Sequence, residues 1–141
     1  MNRHALVIAT ALAMAIATPS LTGLVGCTSA PTNQGEGSPS YQQVSAETAK
    51  DMMDEEEDYI ILDARTQAEF DQGHIPGAIL MPHDTVTDSA EDTLTNKDQL
   101  ILVHCRSGNR SKQAAQALVD LGYTNVVEFG GINSWPYDIE Q

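Results

Sequence analysis

Cys105 is followed by Arg106, Ser107, Gly108, Asn109, Arg110 and Ser111, and this segment lies between an apolar β-prone run and an amphipathic helical pattern. A cysteine acts as a nucleophile in its thiolate form, so the question is what its neighbours do to a negative charge on sulfur. Three features favour that charge. A helix expected to begin near Ser111 presents unpaired backbone amides and the positive end of its dipole. Arg106 and Arg110 add positive charge within a few residues. Gly108 and Asn109 tolerate left-handed backbone angles, which lets successive amides turn inward as an anion-binding nest. The competing reading is an inert core cysteine. Against it, two arginines crowd this one loop of a chain that holds only 7 Lys+Arg in all.

The elements that must position this loop follow from periodicity. Leu100 to His104 is a continuous apolar run of buried-strand type, and Ser111 to Leu121 carries Ala114, Ala115, Ala117, Leu118 and Leu121 at helical spacing, with Gly122 expected at its C-terminal end. Earlier in the chain, Ser45 to Met53 reads as a short helix capped by Ser45, and Tyr59 to Leu62 as a strand covered on both faces. Thr66 and Glu69 have capping-box spacing at the start of another short helix. Gly73 to Ala78 breaks that helix before a brief strand at Ile79 to Met81. Val126 to Phe129 gives the last strand, followed by a turn at Gly130-Gly131 into a short terminal helix. Strands alternating with helices predict an α/β fold with a mainly parallel sheet flanked by helices, whose sites lie beyond the carboxyl ends of the strands. The loop after His104 occupies such a position.

The chain of 141 residues suits one ordinary domain once targeting segments are set aside. Its 20 Asp+Glu against 7 Lys+Arg give a net charge of -13, which excludes nucleic-acid binding through a basic footprint. Only Arg3 and Glu36 among these charges precede Tyr41, so the acidity belongs to the folded part. Residues 1–26 read as an export signal, with Arg3 in a short positive region and an apolar run from Ala5 to Ala17 that is too short to span a bilayer. Leu24-Val25-Gly26-Cys27 resembles a bacterial lipobox, with Cys27 as the lipidated first residue of the mature protein. Val25 is a less usual occupant of its position, and ordinary cleavage after Thr28-Ser29-Ala30 is the alternative. Residues 27–40 then form the lipidated cysteine and a flexible Gly/Pro/Ser/Thr tether, leaving residues 41–141 as the domain. The expected location is the cell envelope, outside the cytoplasm and anchored to a membrane by lipid.

From Tyr41 to Tyr137 the sequence resembles the rhodanese (sulfurtransferase) homology domain in its small single-domain form. The resemblance rests on CRSGNRS at residues 105–111, Asp63-Ala64-Arg65, Glu69-Phe70, Gly73-His74-Ile75-Pro76-Gly77-Ala78 and Gly130-Gly131-Ile132-Asn133-Ser134-Trp135, in that family's order. Ala64 stands where the family more often has Val, a difference of packing. The resemblance implies a three-layer sandwich around a five-stranded sheet. It also implies that Cys105 accepts a sulfane sulfur from a donor such as thiosulfate and passes it to cyanide, a thiol or a protein acceptor. Arg106, Ser107, Gly108, Asn109, Arg110 and Ser111 would then cradle the persulfide. Arg106 is expected to attract an anionic donor and Arg110 to orient the loop or balance the persulfide charge. Asp63 and Arg65 are expected to support the loops as an ion pair. No cofactor is implied, and the chain is expected to act as a monomer.

Other readings are weaker. Cysteine phosphatases share a His-Cys pair such as His104-Cys105, but their arginine falls one residue further on, where this chain has Ser111. Rhodanese-type phosphatases and arsenate reductases carry that longer loop, which makes room for a tetrahedral oxyanion. A non-enzymatic binding module is the reading for family members that lack the cysteine, and Cys105 is present. A dithiol redox role lacks a resolving partner if Cys27 is lipidated. The acidic run Asp54 to Asp58 reads as a solvated turn, His74 as a turn residue and Trp135 as packing at the rim of the sheet. His83, Asp84 and His104 lack zinc-ligand spacing, so no metal is expected.

Overall fold

The computed structural model describes residues 40–141. Cys27 and the expected signal and tether segments therefore lie outside the described residues. Within them the order of elements is β1 (Gln42–Gln43), α1 (Ala46–Glu55), β2 (Tyr59–Asp63), α2 (Gln67–Asp71), β3 (Ile79–Leu80), α3 (Val86–Thr93), β4 (Leu100–Cys105), α4 (Asn109–Asp120) and β5 (Val126–Gly131), then a 3-10 turn at Ile132–Ser134. The strands form one parallel sheet in the order β1-β5-β4-β2-β3. Among the described residues no helix is long and apolar enough to cross a membrane.

The central strands are apolar throughout because both of their faces are covered. Alternate residues divide between two cores. Leu62, Ile101, Val103, Cys105 and Val126 pack with Ala90 of α3 and Ala114, Ala115 and Leu118 of α4. Ile61, Leu100, Leu102, Val127 and Phe129 pack with Ala49 and Met53 of α1 and with Trp135. This is the three-layer α/β arrangement expected from the sequence.

The differences are local. α4 begins at Asn109, two residues before the expected start, so Ser111 is a buried residue of the first helical turn rather than its entry. Asn109 is accordingly helical, and only Gly108 takes the left-handed conformation (φ 104). The terminal helix is a single 3-10 turn. β1 and α3 had no readable signal. β1 is two exposed polar glutamines held by pairing with β5. α3 has only Val86 and Ala90 to mark a buried face, both 0% exposed.

Candidate active site

β4 lies in the middle of the sheet and ends at Cys105, whose side chain is carried to the carboxyl edge with only 1% of the residue exposed. The pairing of β4 with β5 shifts register between Val103 and Cys105, which turns the strand end toward the loop that follows. Two glycines permit that turn. Gly108 holds a positive φ, and a Cβ on Gly131 would lie 2.2 Å from the Arg106 carbonyl oxygen. The motif Gly130-Gly131 is thus a close approach of β5 to the loop, a requirement for absent side chains.

Around the sulfur, the Gly108 amide donates to Cys105 Sγ at 3.1 Å, and the Ser111 hydroxyl lies 3.5 Å from it. Burial pushes the thiol up, but hydrogen bonds from the Ser111, Ser107 and Gly108 amides, and from the Ser111 hydroxyl when its proton faces the sulfur, outweigh it, and the net shift is downward. Thiolate is therefore favoured by local donors with no metal required. Among the described residues no cluster of His, Cys, Asp and Glu is placed to hold a metal ion.

The remaining loop residues divide by exposure. Ser107 and Asn109 are exposed, and Arg106 is exposed at the mouth. There a cleft of about 310 Å³ is lined by Arg65, Glu69, Gln72, Gly73, Arg106, Ile132, Asn133 and Ile139. Arg110 forms a two-pronged ion pair with Glu69, at 2.6 and 2.8 Å. Glu69 also closes the capping box with Thr66, so one carboxylate ties α2 to the start of α4. The Arg110 guanidinium, opposed by partial burial, holds the Glu69 carboxyl down at about 2.

Asp63 and Arg65 form a buried ion pair. Arg65 Nε and Nη2 contact the two carboxylate oxygens at 2.9 and 2.6 Å, and Nη2 also donates to the Gly73 carbonyl at 2.8 Å. This fixes the Gly73 to Ala78 turn beside the loop. His74 in that turn stacks on Phe70 and pairs through its backbone with Glu140.

Three residues around the loop have roles that the sequence did not show. Glu69 read as a cap and as part of the Glu69-Phe70 motif, not as the partner of Arg110. His104 is fully buried, its Nδ1 is 3.2 Å from the Cys105 carbonyl oxygen, and its Nε2 has no hydrogen-bond partner among the described residues. Burial pushes this imidazole down, against the opposing field of Asp63. Glu128 is 3% exposed, and its Oε1 accepts from the Ser111 hydroxyl at 2.6 Å and the Gly130 amide at 2.9 Å. An acidic residue inside an apolar strand was its only trace in the sequence.

A parallel sheet with a cysteine loop between its central strand and a helix N-terminus defines a class of proteins, and comparison assigns the family. Residues 45–137 match the rhodanese-like domain, and the chain belongs to that family. A sulfurtransferase of Allochromatium vinosum is 34% identical over 94 residues, covering 66% of this chain and 86% of the relative. Thiosulfate sulfurtransferase PspE of Escherichia coli is 32% identical over 71 residues, covering 50% of this chain and 68% of the relative. The solved structure described as rhodanese with anions from E. coli superposes with a TM-score of 0.56 at 28% identity, covering 59% of this chain and 98% of that one. Some relatives are much longer, and the chain spans only 22% and 28% of two of them.

Proposed function

We propose that this protein is a sulfurtransferase in which Cys105 carries a sulfane sulfur as a persulfide, taken from an anionic donor such as thiosulfate and passed to cyanide or a thiol. The observation that carries this reading is a nearly buried sulfur that receives the Gly108 amide at 3.1 Å in a loop of inward-turned amides. Such a cradle stabilises a single anionic sulfur atom. The names of the relatives from Allochromatium vinosum and Escherichia coli support the same class of reaction.

The Cys105 thiolate attacks the outer sulfur of the donor. A sulfur–sulfur bond forms to Cys105 while the donor's own sulfur–sulfur bond breaks, and sulfite departs with the bonding electron pair. Arg106, exposed at the mouth, attracts the dianionic donor and the departing sulfite. Arg110 is occupied by Glu69, so its part is to hold the first turn of α4 in place. In the second half of the reaction the acceptor attacks the outer sulfur, and Cys105 leaves as thiolate.

Intact mass of the purified protein before and after thiosulfate tests the proposal. The expected result is gain of one sulfur atom, reversed by cyanide and absent in Cys105→Ser. Failure to gain sulfur from thiosulfate or any other sulfane donor would leave a binding module as the better reading.

The sequence supports a second proposal, that Cys27 is lipidated and holds the domain outside the cytoplasm. Incorporation of labelled palmitate that is lost in Cys27→Ala checks it.

A further inference from the structure

Ser111 sits between two acidic partners and has one hydroxyl proton. Three acceptors surround its oxygen, Glu128 Oε1 at 2.6 Å, the Gly108 carbonyl at 3.0 Å and the Gly130 carbonyl at 3.2 Å, and Cys105 Sγ donates to it at 3.5 Å. The charged Glu128 carboxylate, the nearest, takes that proton. Cys105 is then matched to Ser111 only as a thiol, with S–H donating to the hydroxyl oxygen. A thiolate would face the lone pairs of that oxygen instead. The mismatch disappears if Glu128 is itself protonated, because Glu128 then donates to Ser111 and frees the Ser111 proton for sulfur.

We infer that Glu128 receives the Cys105 proton through Ser111 when the sulfur becomes a nucleophile, and returns it when the persulfide is discharged. The inference rests on the sulfurtransferase reading for its place in a reaction. The Cys105 S–H bond breaks with its electron pair left on sulfur, the proton goes to Ser111 Oγ, and the proton of Ser111 goes to Glu128 Oε1. On loading, thiosulfate delivers its outer sulfur and leaves as sulfite, giving a persulfide anion beside a neutral Glu128. Cyanide then removes the outer sulfur as thiocyanate, and the Glu128 proton passes back through Ser111 to Cys105. No proton need cross to solvent in either half, which fits a sulfur almost wholly removed from water.

The other charged groups around the pair are already matched. On the α2 and α4 side, Arg110 is held by Glu69. On the β2 side, Asp63 is held by Arg65, and His104 lies behind Cys105 with its Nδ1 against the Cys105 carbonyl. Arg106 is exposed at the mouth. No cation lies within salt-bridge distance of Glu128 among the described residues. Because Glu128 acts through Ser111, it is a positioning residue for the proton, and Ser111 is the group in contact with sulfur.

Infrared difference spectroscopy of the full-length wild-type protein, before and after thiosulfate, tests this directly. The expected result is a carbonyl band of a protonated carboxylic acid that appears on loading, vanishes with cyanide and is missing in Glu128→Gln. Glutamine keeps an oxygen to accept from Ser111 but cannot take the proton, so a merely structural Glu128 predicts no change in rate. The relay predicts that loading slows about 100-fold in Glu128→Gln, the low end of what general acid–base assistance contributes. Should Glu128→Gln fail to fold, Ser111→Ala interrupts the same route with Glu128 kept, and the wild-type spectrum needs no variant. A loaded wild-type protein without the band overturns the inference. Alkylation of Cys105 by iodoacetamide across pH needs no sulfur donor, so it separates failure of the relay from failure of the sulfurtransferase reading. Two coupled steps in wild type and one in Glu128→Gln support the relay, and identical profiles overturn it.

Discussion

Asp63 and Glu128 are two buried carboxylates on the strands that flank β4, at 0% and 3% exposure, yet their surroundings differ in kind. Asp63 meets the Arg65 guanidinium, with Nη2 at 2.6 Å, and its charge is balanced on the spot. Glu128 meets a hydroxyl and an amide, at 2.6 and 2.9 Å. A guanidinium cannot give up its proton under ordinary conditions, so the first arrangement is fixed. A hydroxyl passes protons readily between neighbours, so the second can change state without any movement of the backbone. The same functional group, a buried carboxylate, therefore holds shape on one side of Cys105 and leaves a proton free to move on the other.

The largest expected effect comes from breaking the fixed side. Asp63→Asn leaves the Arg65 guanidinium buried without its carboxylate and is expected to cost about 3–5 kcal/mol, read from the midpoint of urea unfolding. Glu128→Gln leaves no cation stranded and keeps its hydrogen bond, so its cost is expected to stay below about 1 kcal/mol by the same measurement. Equal costs would erase the contrast. Next in size is Gly131→Ala. The added carbon would sit 2.2 Å from the Arg106 carbonyl oxygen, and the forced shift should cost about 1–3 kcal/mol and slow sulfur loading measured by mass.

A third carboxylate, Glu69, lies between these extremes, half-buried and paired with Arg110. Its folded value of about 2 lies below the ordinary glutamate value of 4.5, so its pairing stabilises the fold above the higher value and is lost as pH falls through the lower one. Acid titration of stability is expected to fall more steeply over that window in wild type than in Glu69→Gln. The smallest effect on stability belongs to Arg106→Ala, within about 0.5 kcal/mol for an exposed side chain. Its expected signature is kinetic, a higher KM for thiosulfate with a weaker dependence on salt.

Much of this molecule was legible along the chain because the features concerned are local. The buried strands at Tyr59 and Leu100 show as apolar runs, since a strand covered on both faces has no polar side to display. The Cys105 loop shows as glycine and arginine between a strand and a helix. β1 was not legible, because two polar residues join the sheet only through backbone pairing with β5. α3 was not legible either, since one buried pair at Val86 and Ala90 makes no periodic pattern.

The partners of the loop were hidden for a different reason. Glu69 reaches Arg110 across 41 residues of chain, and Glu128 reaches Ser111 across 17. Residue types and spacing determined that a cysteine would stand among backbone donors at a helix entrance, because strand, turn and helix there are continuous in sequence. Which arginine would be occupied, which acid neutralised and which left beside a hydroxyl were decided only by the tertiary structure. A parallel sheet gathers the carboxyl ends of distant strands at one edge, and hydrogen bonding depends on distances of a few ångströms that spacing along the chain does not record.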